Sequence, residues 1–586
     1  MRITKLSLTN FRSFKETQTI ELAPVTLLFG PNSVGKSTVL MALFYLQQIL
    51  EKGQCNPQRI EALGNKFVGG FKHLVNGRDL RKNIVIKVEY EPDQFSLKGY
   101  LEHLDNYGTE HPLYIDTDII SKKTRSLEFE IGWSFTDNTA LVTRVSYWVA
   151  GKYLGESCFD GSLHSTRLSK INYAHPALAS INQPDADGQY RNTPDLMESS
   201  YLTPLQEALC ELSWHAGNPV DIEIEGQHFI HPLFGSSSHK RKTGGLFALG
   251  RPLTTTASEG AENLEDAIII TEILSECFIR PLDELRQLLN NSLSIGPLRK
   301  IPDSTYQPNP YPAMHNWYTG EAAWDRLHNA SIVEVDSIND WISVKSRLNL
   351  GYQVVYKIEQ SEARYIKAST KTQTVEDMIA LHDAVGSEVE LTVSRENLDD
   401  NPDTEQKVIS PEILEALRET PCFHSGLYVG QSIEKNKRPT LWDTQNNIEV
   451  TASDIGVGVS QLLPLVVATI TANKGFISCE QPELHVHPRV QVAIGDLLTQ
   501  ANDKANLIIE THSEHIVLRL LRRIRETYEG TLPAGFQPVT THNISIVYIQ
   551  PGDNGANITH QKVTDDGDFE CDWPQGFFEE RDEELF

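Results

Sequence analysis

Gly30-Pro31-Asn32-Ser33-Val34-Gly35-Lys36-Ser37 is the stretch on which the reading of this chain turns. It satisfies G-x-x-x-x-G-K-[S/T] at every fixed position, with an apolar run from Val25 to Phe29 before it and a helix-like run from Thr38 to Leu50 after it. A strand, a glycine loop and a helix in that order form a phosphate cradle. Glycines let backbone N–H groups wrap an anion, and the N-terminus of the following helix favours negative charge. The lysine then reaches the terminal phosphates and the hydroxyl after it can ligate Mg²⁺. Asn32, Ser33, Val34, Gly35, Lys36, Ser37 and Thr38 are therefore the candidate nucleotide-binding residues, with Ser37 also a candidate metal ligand.

Three segments near the other end complete the pattern. Asp454-Ile455-Gly456-Val457-Gly458-Val459-Ser460-Gln461 precedes an apolar run from Leu462 to Thr471, so a second glycine loop sits at a helix N-terminus. Such a loop can present backbone donors to a phosphate, and it can equally be a plain capping turn. Gly475 to Cys479 reads as a buried strand ending at Glu480-Gln481-Pro482-Glu483, and Ala505 to Ile509 as another ending at Glu510-Thr511-His512-Ser513. Two strands that end in polar groups place those groups at the carboxyl edge of a parallel sheet, where open α/β sheets bind ligands.

The whole chain has 586 residues, enough for two to four domains, and is 39 % hydrophobic and 22 % charged, as soluble globular proteins are. Met1 to Asn10 alternates polar and apolar residues instead of forming a signal peptide, and the longest near-apolar stretch, Leu462 to Ala472, is short of a membrane span. The expected location is cytoplasmic, with no membrane association. The seven cysteines are scattered and never form C-x-x-C, which argues against a disulfide framework or a structural zinc. A net charge of −27 argues against indiscriminate coating of nucleic acid. Local basic candidates are His239-Lys240-Arg241-Lys242 and the arginines at 519, 522, 523 and 525, each of which also reads as a solvated surface. Asp565 to Phe586 carries ten carboxylates against one arginine.

The organisation is discontinuous. Ile3 to Leu8, Ile20 to Leu22, Asn83 to Tyr90 and Leu127 to Trp133 read as strands around the phosphate loop. The middle has mixed periodicity, breaks such as Phe234-Gly235-Ser236-Ser237-Ser238, helical signals at 203–214, 262–290 (interrupted at Pro281) and 412–419, and no sustained heptads. It is not a coiled-coil arm. The expected division is 1–100 for the first lobe, 101–440 for an insertion of mixed α/β character, 441–545 for the second lobe and 546–586 for a tail.

Phosphate loop, glycine-serine loop, carboxylate strand and Thr-His-Ser strand, in this order and split by a long insertion, resemble the ABC-type ATPase heads of the SMC, RecF and OLD group. Within that group the chain resembles the bacterial AAA/ABC ATPases of anti-phage and mobile-element operons that end in a short aromatic tail. The closer match is carried by Ile295-Gly296-Pro297-Leu298-Arg299, Gly456 to Pro464, Glu480 to Pro488, Glu510 to His515 and Trp573-Pro574-Gln575-Gly576-Phe577-Phe578. The resemblance implies an α/β fold: an ABC-type P-loop ATPase head split by an α+β insertion, with a short acidic C-terminal tail. It implies ATP and Mg²⁺ as cofactors, Ser37 and Glu480 on the metal, and His512 as the switch histidine that senses the γ-phosphate. Gly456, Gly458 and Ser460 would serve as a signature reaching the ATP of a second subunit, so a homodimer or higher homo-oligomer bridged by ATP is expected. The family association also implies a phage-defence role with a separately encoded effector, such as a nuclease. Direct duplex binding, as in RecF-like and SMC-like heads, and an ATP-locked scaffold are the alternatives.

The chain departs from the usual Asp-Glu pair, reading Glu480-Gln481. An amide can position water but cannot take its proton, and losing a general base costs about 10²- to 10⁴-fold in rate. Slow turnover is expected, with Glu483, His512 or a facing-subunit residue as substitutes for the base. Water-orienting glutamines do support hydrolysis in GTPases. Glu480, Gln481, Glu483 and His512 are thus the candidate catalytic residues. His485 and His487 form an H-x-H pair that either binds a metal or faces a second subunit, and Trp573 to Phe578 either packs on the core or docks a partner. No second catalytic pattern is evident in the sequence.

Overall fold

A computed structural model describes residues 1–92, 99–103, 123–159, 165–172, 175–178, 234–237, 244–255, 264–302, 306–309, 311–313, 315–358, 364–366, 391–393, 407–408, 427–429, 437–450, 455–500, 505–571 and 573. The helical signals at 203–214 and 412–419, the basic run 239–242, Asp454 and the tail from Pro574 to Phe578 lie outside the described residues.

Five-residue apolar runs account for the middle of the fold. Val25–Phe29, Phe476–Glu480 and Asn506–Glu510 are buried along their whole length, as strands covered on both faces must be. They lie in a six-stranded sheet in the order Leu293–Ile295, Phe476–Glu480, Asn506–Glu510, Val25–Phe29, Ile544–Gly552, Gly555–Gln561. All neighbours are parallel except the last pair, a hairpin. The period-2 alternation of a strand divides the side chains between two cores. Leu28, Ile508 and Val547 face the core that holds the phosphate-loop helix, Lys36–Lys52. Leu27, Ile477, Ile509 and Ile546 face the core holding helices Val457–Thr471, Pro488–Gln500 and Glu514–Tyr528.

The second sheet is antiparallel and nine-stranded among the described residues. It contains Arg2–Thr9, Gln18–Glu21, Ile84–Glu91, Arg125–Ser134, Thr139–Val149 and Lys152–Phe159, so a division at residue 100 runs through its middle. Within the break read at Phe234 to Ser238, Phe234–Ser237 is instead a strand paired with 165–167, where cross-strand pairing overrides a weak local preference. Leu264–Phe278 and Arg280–Asn290 are separate helices. Pro281 sits in the first turn of the second, where its missing N–H breaks no intrahelical bond. A buried ion pair, Arg125 to Glu284 at 2.7 Å, fastens that helix to the antiparallel sheet. Strand Leu293–Ile295, from the middle of the chain, forms one edge of the parallel sheet, so the insertion takes part in the core. The five cysteines among the described residues are free.

Candidate functional site

The register of the parallel sheet builds the site. Glu480 is the Cα partner of Glu510, and Glu510 is the partner of Leu28, one residue before the end of the phosphate-loop strand. Three chain segments distant in sequence therefore meet at one carboxyl edge, directly under the N-terminus of the Lys36–Lys52 helix. The loop itself is shaped by backbone that side chains would obstruct. Gly30 has φ +137° and a Cβ there would lie 2.0 Å from the Ile549 carbonyl oxygen; Gly35 has φ +134° and its Cβ would lie 2.3 Å from Ser13 Oγ.

Lys36 is 3 % exposed. Its Nζ donates to the carbonyls of Gly30 (2.8 Å) and Pro31 (3.0 Å) and lies 3.7 Å from Glu510 Oε1. Burial holds this ammonium below the ordinary lysine range, and Glu510 opposes that shift. Ser37 Oγ donates to Glu510 Oε2 at 2.9 Å. Glu480 is turned elsewhere: its Oε1 accepts from the Tyr318 hydroxyl at 3.2 Å. Burial, then the neighbouring Glu510 carboxylate, raises the Glu480 pKa above the usual carboxylate range.

Gln481 adopts a left-handed φ of +48° and donates its backbone N–H to the Glu510 carbonyl at 2.7 Å. Glu483 uses both oxygens on the histidine loop, accepting from Thr511 Oγ1 at 2.8 Å and from the His512 N–H at 2.7 Å. Thr511 N–H in turn donates to the Leu28 carbonyl, which fixes this loop against the phosphate-loop strand. His512 is pushed below its ordinary pKa by burial and then by Lys36, which favours the neutral ring. Its buried Nε2 has no hydrogen-bond partner among the described residues. A cleft of about 550 Å³ opens here between Gln481, Glu483, His485, His487 and His512.

The glycine-serine loop packs against the segment that follows the Glu480 strand. Gly456 caps the helix Val457–Thr471, Ser460 is buried, and a Cβ on Gly458 would meet the His485 carbonyl oxygen at 2.7 Å. Arg299, at 4 % exposure, joins this helix to the Glu480 strand. It donates to the carbonyls of Gln461 and Glu480, both at 2.8 Å, and to Cys479 Sγ at 3.1 Å. The Gln461 side chain returns two bonds to the Arg299 backbone.

Sequence reasoning missed four contributors. Arg299 and Glu510 were inside quoted motifs with no role assigned. Tyr318 reaches the site from the middle of the chain, its ring seated so close to Gly64 and Gly296 that a Cβ on either would come within 2.7 Å of it. A second cleft, about 400 Å³, is lined by Arg12, Ser13, Ser33, Thr38, His73 and Arg78 beside the phosphate loop. It is walled in part by the segment Asn10-Phe11-Arg12-Ser13-Phe14, where Asn10 and Arg12 both take positive φ (55° and 49°).

Other candidates resolve differently. The arginines of Glu514–Tyr528 are engaged at home: Arg523 with Asp496 and Glu526, Arg522 with Glu526, Arg519 with Asp496, Arg525 with Asp568. His487 Nδ1 accepts the Arg489 N–H, and no group of three or more His, Cys, Asp or Glu among the described residues is placed to hold a metal. Trp573 packs against Phe29, Tyr548 and Phe569. No helix among the described residues is long and apolar enough to cross a membrane.

The donor set suits a magnesium nucleotide. Ser37, Glu480 and Glu510 offer hard oxygens of the kind Mg²⁺ takes, and backbone N–H groups at a helix N-terminus with a buried lysine suit phosphate. A 45-residue stretch, 8 % of this chain, is 47 % identical to the DNA replication and repair protein RecF of Desulforamulus reducens, and spans 12 % of that protein's length. Superposition on an SMC head domain from Thermotoga maritima covers 96 % of this chain and 100 % of that one, at 9 % identity and a TM-score of 0.32. An Smc head with an extended coiled coil bound to the C-terminal domain of ScpA, from Pyrococcus furiosus, gives 96 % of both chains, 11 % identity and a TM-score of 0.31. The fold assignment rests on strand order and motif placement, not on those scores. A family profile matches residues 1–157 and 342–517, more than half of the chain, and by that match the chain belongs to the AAA ATPase domain family.

Proposed function

We propose that this chain is a nucleotide-gated switch that binds ATP with Mg²⁺ and hydrolyses it slowly. The observation that carries this reading is the state of the groups around the reacting centre. By the motif resemblance Gln481 replaces the usual glutamate base, and the Glu483 carboxylate is committed to holding Thr511 and His512. Lys36 and the loop amides would hold the triphosphate, Ser37 and Glu480 the metal, and neutral His512 would donate to the γ-phosphate. Bound Mg²⁺ supplies charge neutralisation of the transferring phosphoryl group. Gly456, Gly458 and Ser460 would complete the site of a second copy, so that ATP holds two heads together.

The test is the mass and turnover of the purified chain with and without Mg-ATP, beside Lys36→Ala and Gln481→Glu. Wild type is expected to assemble with ATP and turn over slowly, Lys36→Ala to do neither, and Gln481→Glu to be faster by up to about 10²-fold. Rapid wild-type turnover that Gln481→Glu leaves unchanged would overturn the binding-held switch.

The biological reading is phage defence through a separately encoded effector, with the protein acting in the cytoplasm. It is supported by the motif resemblance at 295–299 and 573–578 and by the lack of a second catalytic pattern in the sequence. Copurification with a neighbouring gene's product, lost in Lys36→Ala, tests it. The stretch shared with RecF favours a second reading, a DNA-transaction ATPase acting on duplex directly. Internal pairing of the arginines on Glu514–Tyr528 weighs against that helix as a basic track. ATP-dependent DNA binding with a steep salt dependence would favour the second reading.

A further inference from the structure

We propose that Glu510 is a second carboxylate of the metal site and makes ATP binding conditional on a divalent cation. This rests on the reading that residues 30–37 hold the triphosphate.

Glu510 is 8 % exposed and sits between the strands that deliver Lys36 and Glu480. It, and not Glu480, accepts the bond from the Ser37 hydroxyl, at 2.9 Å, with Lys36 Nζ 3.7 Å from its other oxygen. Parallel register puts the Glu480 and Glu510 side chains on the same face of adjacent strands. Glu480 is meanwhile steadied by the Tyr318 hydroxyl. Two carboxylates at one sheet edge, one of them already bonded to the Ser37 hydroxyl, are an Mg²⁺ donor set once Glu480 leaves Tyr318, since Mg²⁺ takes one or two carboxylates and completes its shell with phosphate and water.

The charge arithmetic gives the consequence. A triphosphate entering this loop without a cation meets Lys36 but also two carboxylates, one of which already holds Lys36 and Ser37. Like charges in a partly buried site are poorly screened. A divalent cation reverses the sign of that encounter, because it is attracted to phosphate and carboxylates together. Glu510 is then a placeholder in the free protein, occupying Ser37 and attracting Lys36, and a ligand in the bound one. With Asp or Glu at Glu480 alone the loop would retain appreciable metal-free affinity for ATP. With Glu510 as well, it responds to nucleotide and cation jointly.

The experiment titrates a fluorescent ATP analogue into full-length protein in EDTA, then Mg²⁺ at fixed nucleotide, and counts bound Mn²⁺ by electron paramagnetic resonance with a non-hydrolysable analogue. Wild type, Glu510→Gln, Glu510→Asp and Lys36→Ala are compared. Glu510→Gln keeps the shape and an acceptor for Ser37 and removes a like charge beside Glu480, so it is expected to fold; Glu510→Asp withdraws the carboxylate by one methylene with the charge retained. The expected result is that Glu510→Gln binds the analogue more tightly than wild type in EDTA, while the Mg²⁺ concentration for half-maximal binding rises at least about 10-fold. Glu510→Asp should raise that midpoint without improving metal-free binding. An unchanged midpoint and unchanged metal-free affinity in Glu510→Gln, with wild type still binding and Lys36→Ala not, overturns the inference and leaves the nucleotide site standing. Failure of wild type to bind the analogue under any condition overturns both.

Discussion

Arg299→Met should separate the two functional edges of the second lobe. Arg299 is 4 % exposed and its guanidinium ties the second turn of Val457–Thr471 to the end of Phe476–Glu480 through the carbonyls of Gln461 and Glu480. Each bond from a charged donor contributes about 1.5–3 kcal/mol, so losing two costs about 3–6 kcal/mol. Part of this is offset, because methionine removes the several kcal/mol, roughly, needed to bury an ion. The net expectation is about 2–4 kcal/mol, which for a domain of this size lowers the melting midpoint by roughly 5–10 °C. Arg299→Lys should not rescue it, since one ammonium cannot reproduce a planar fork that reaches two carbonyls. The assay is thermal melting with and without Mg-ATP, followed by light scattering for assembly. Gln461→Leu, which removes the two side-chain bonds to the Arg299 backbone, should be strongly non-additive with Arg299→Met. A variant that melts within about 1 °C of wild type and still assembles with ATP would refute the role of this bridge.

Three further outcomes are expected. Glu483→Gln makes both acceptors uncharged and sets an amide NH2 against either the Thr511 hydroxyl or the His512 N–H; for this half-buried group the loss is about 1–2 kcal/mol, or roughly 10-fold in turnover at saturating Mg-ATP. Trp573→Ala removes a side chain packed on Phe29, Tyr548 and Phe569 and should cost about 3–5 kcal/mol, read by thermal melting. Glu480→Gln should stabilise the nucleotide-free protein at alkaline pH. With the Glu480 pKa raised in the folded state by burial and Glu510, the native protein binds the proton more tightly than the unfolded chain does. Wild-type stability from this group therefore falls as pH rises from the ordinary carboxylate range through the raised value. Melts near pH 4 and pH 8 should give equal midpoints for the two proteins in acid and a higher midpoint for the variant in base.

How much of this was legible in the sequence depends on what kind of information fixes each residue. Val25 to Phe29, Phe476 to Glu480 and Asn506 to Glu510 are short apolar runs ending in polar groups, and their local pattern sufficed to make them parallel strands with a shared edge. Gly30 and Gly35 could be read because the loop tolerates no side chain there. Register is another matter. That Glu510 stands beside Glu480, and that Ser37 bonds to the former, follows from pairing between strands that no periodicity reports. Arg299 and Tyr318 were hidden for the same reason, one in a motif with no chemistry of its own and the other in a stretch without pattern. The direction of the error is instructive. Sequence motifs name the groups that would touch the nucleotide, whereas the groups that hold those in place come from the middle of the chain, through strand Leu293–Ile295 and the segment that follows it. Gly296 N–H donates to the Tyr318 carbonyl and Lys300 N–H to that of Thr319, so Arg299 and Tyr318 belong to one bonded unit. That unit holds Glu480 at its backbone through Arg299 and at its carboxylate through Tyr318. A carboxylate released by Tyr318 to meet a metal would therefore be felt first in the segment that carries Tyr318 and Arg299.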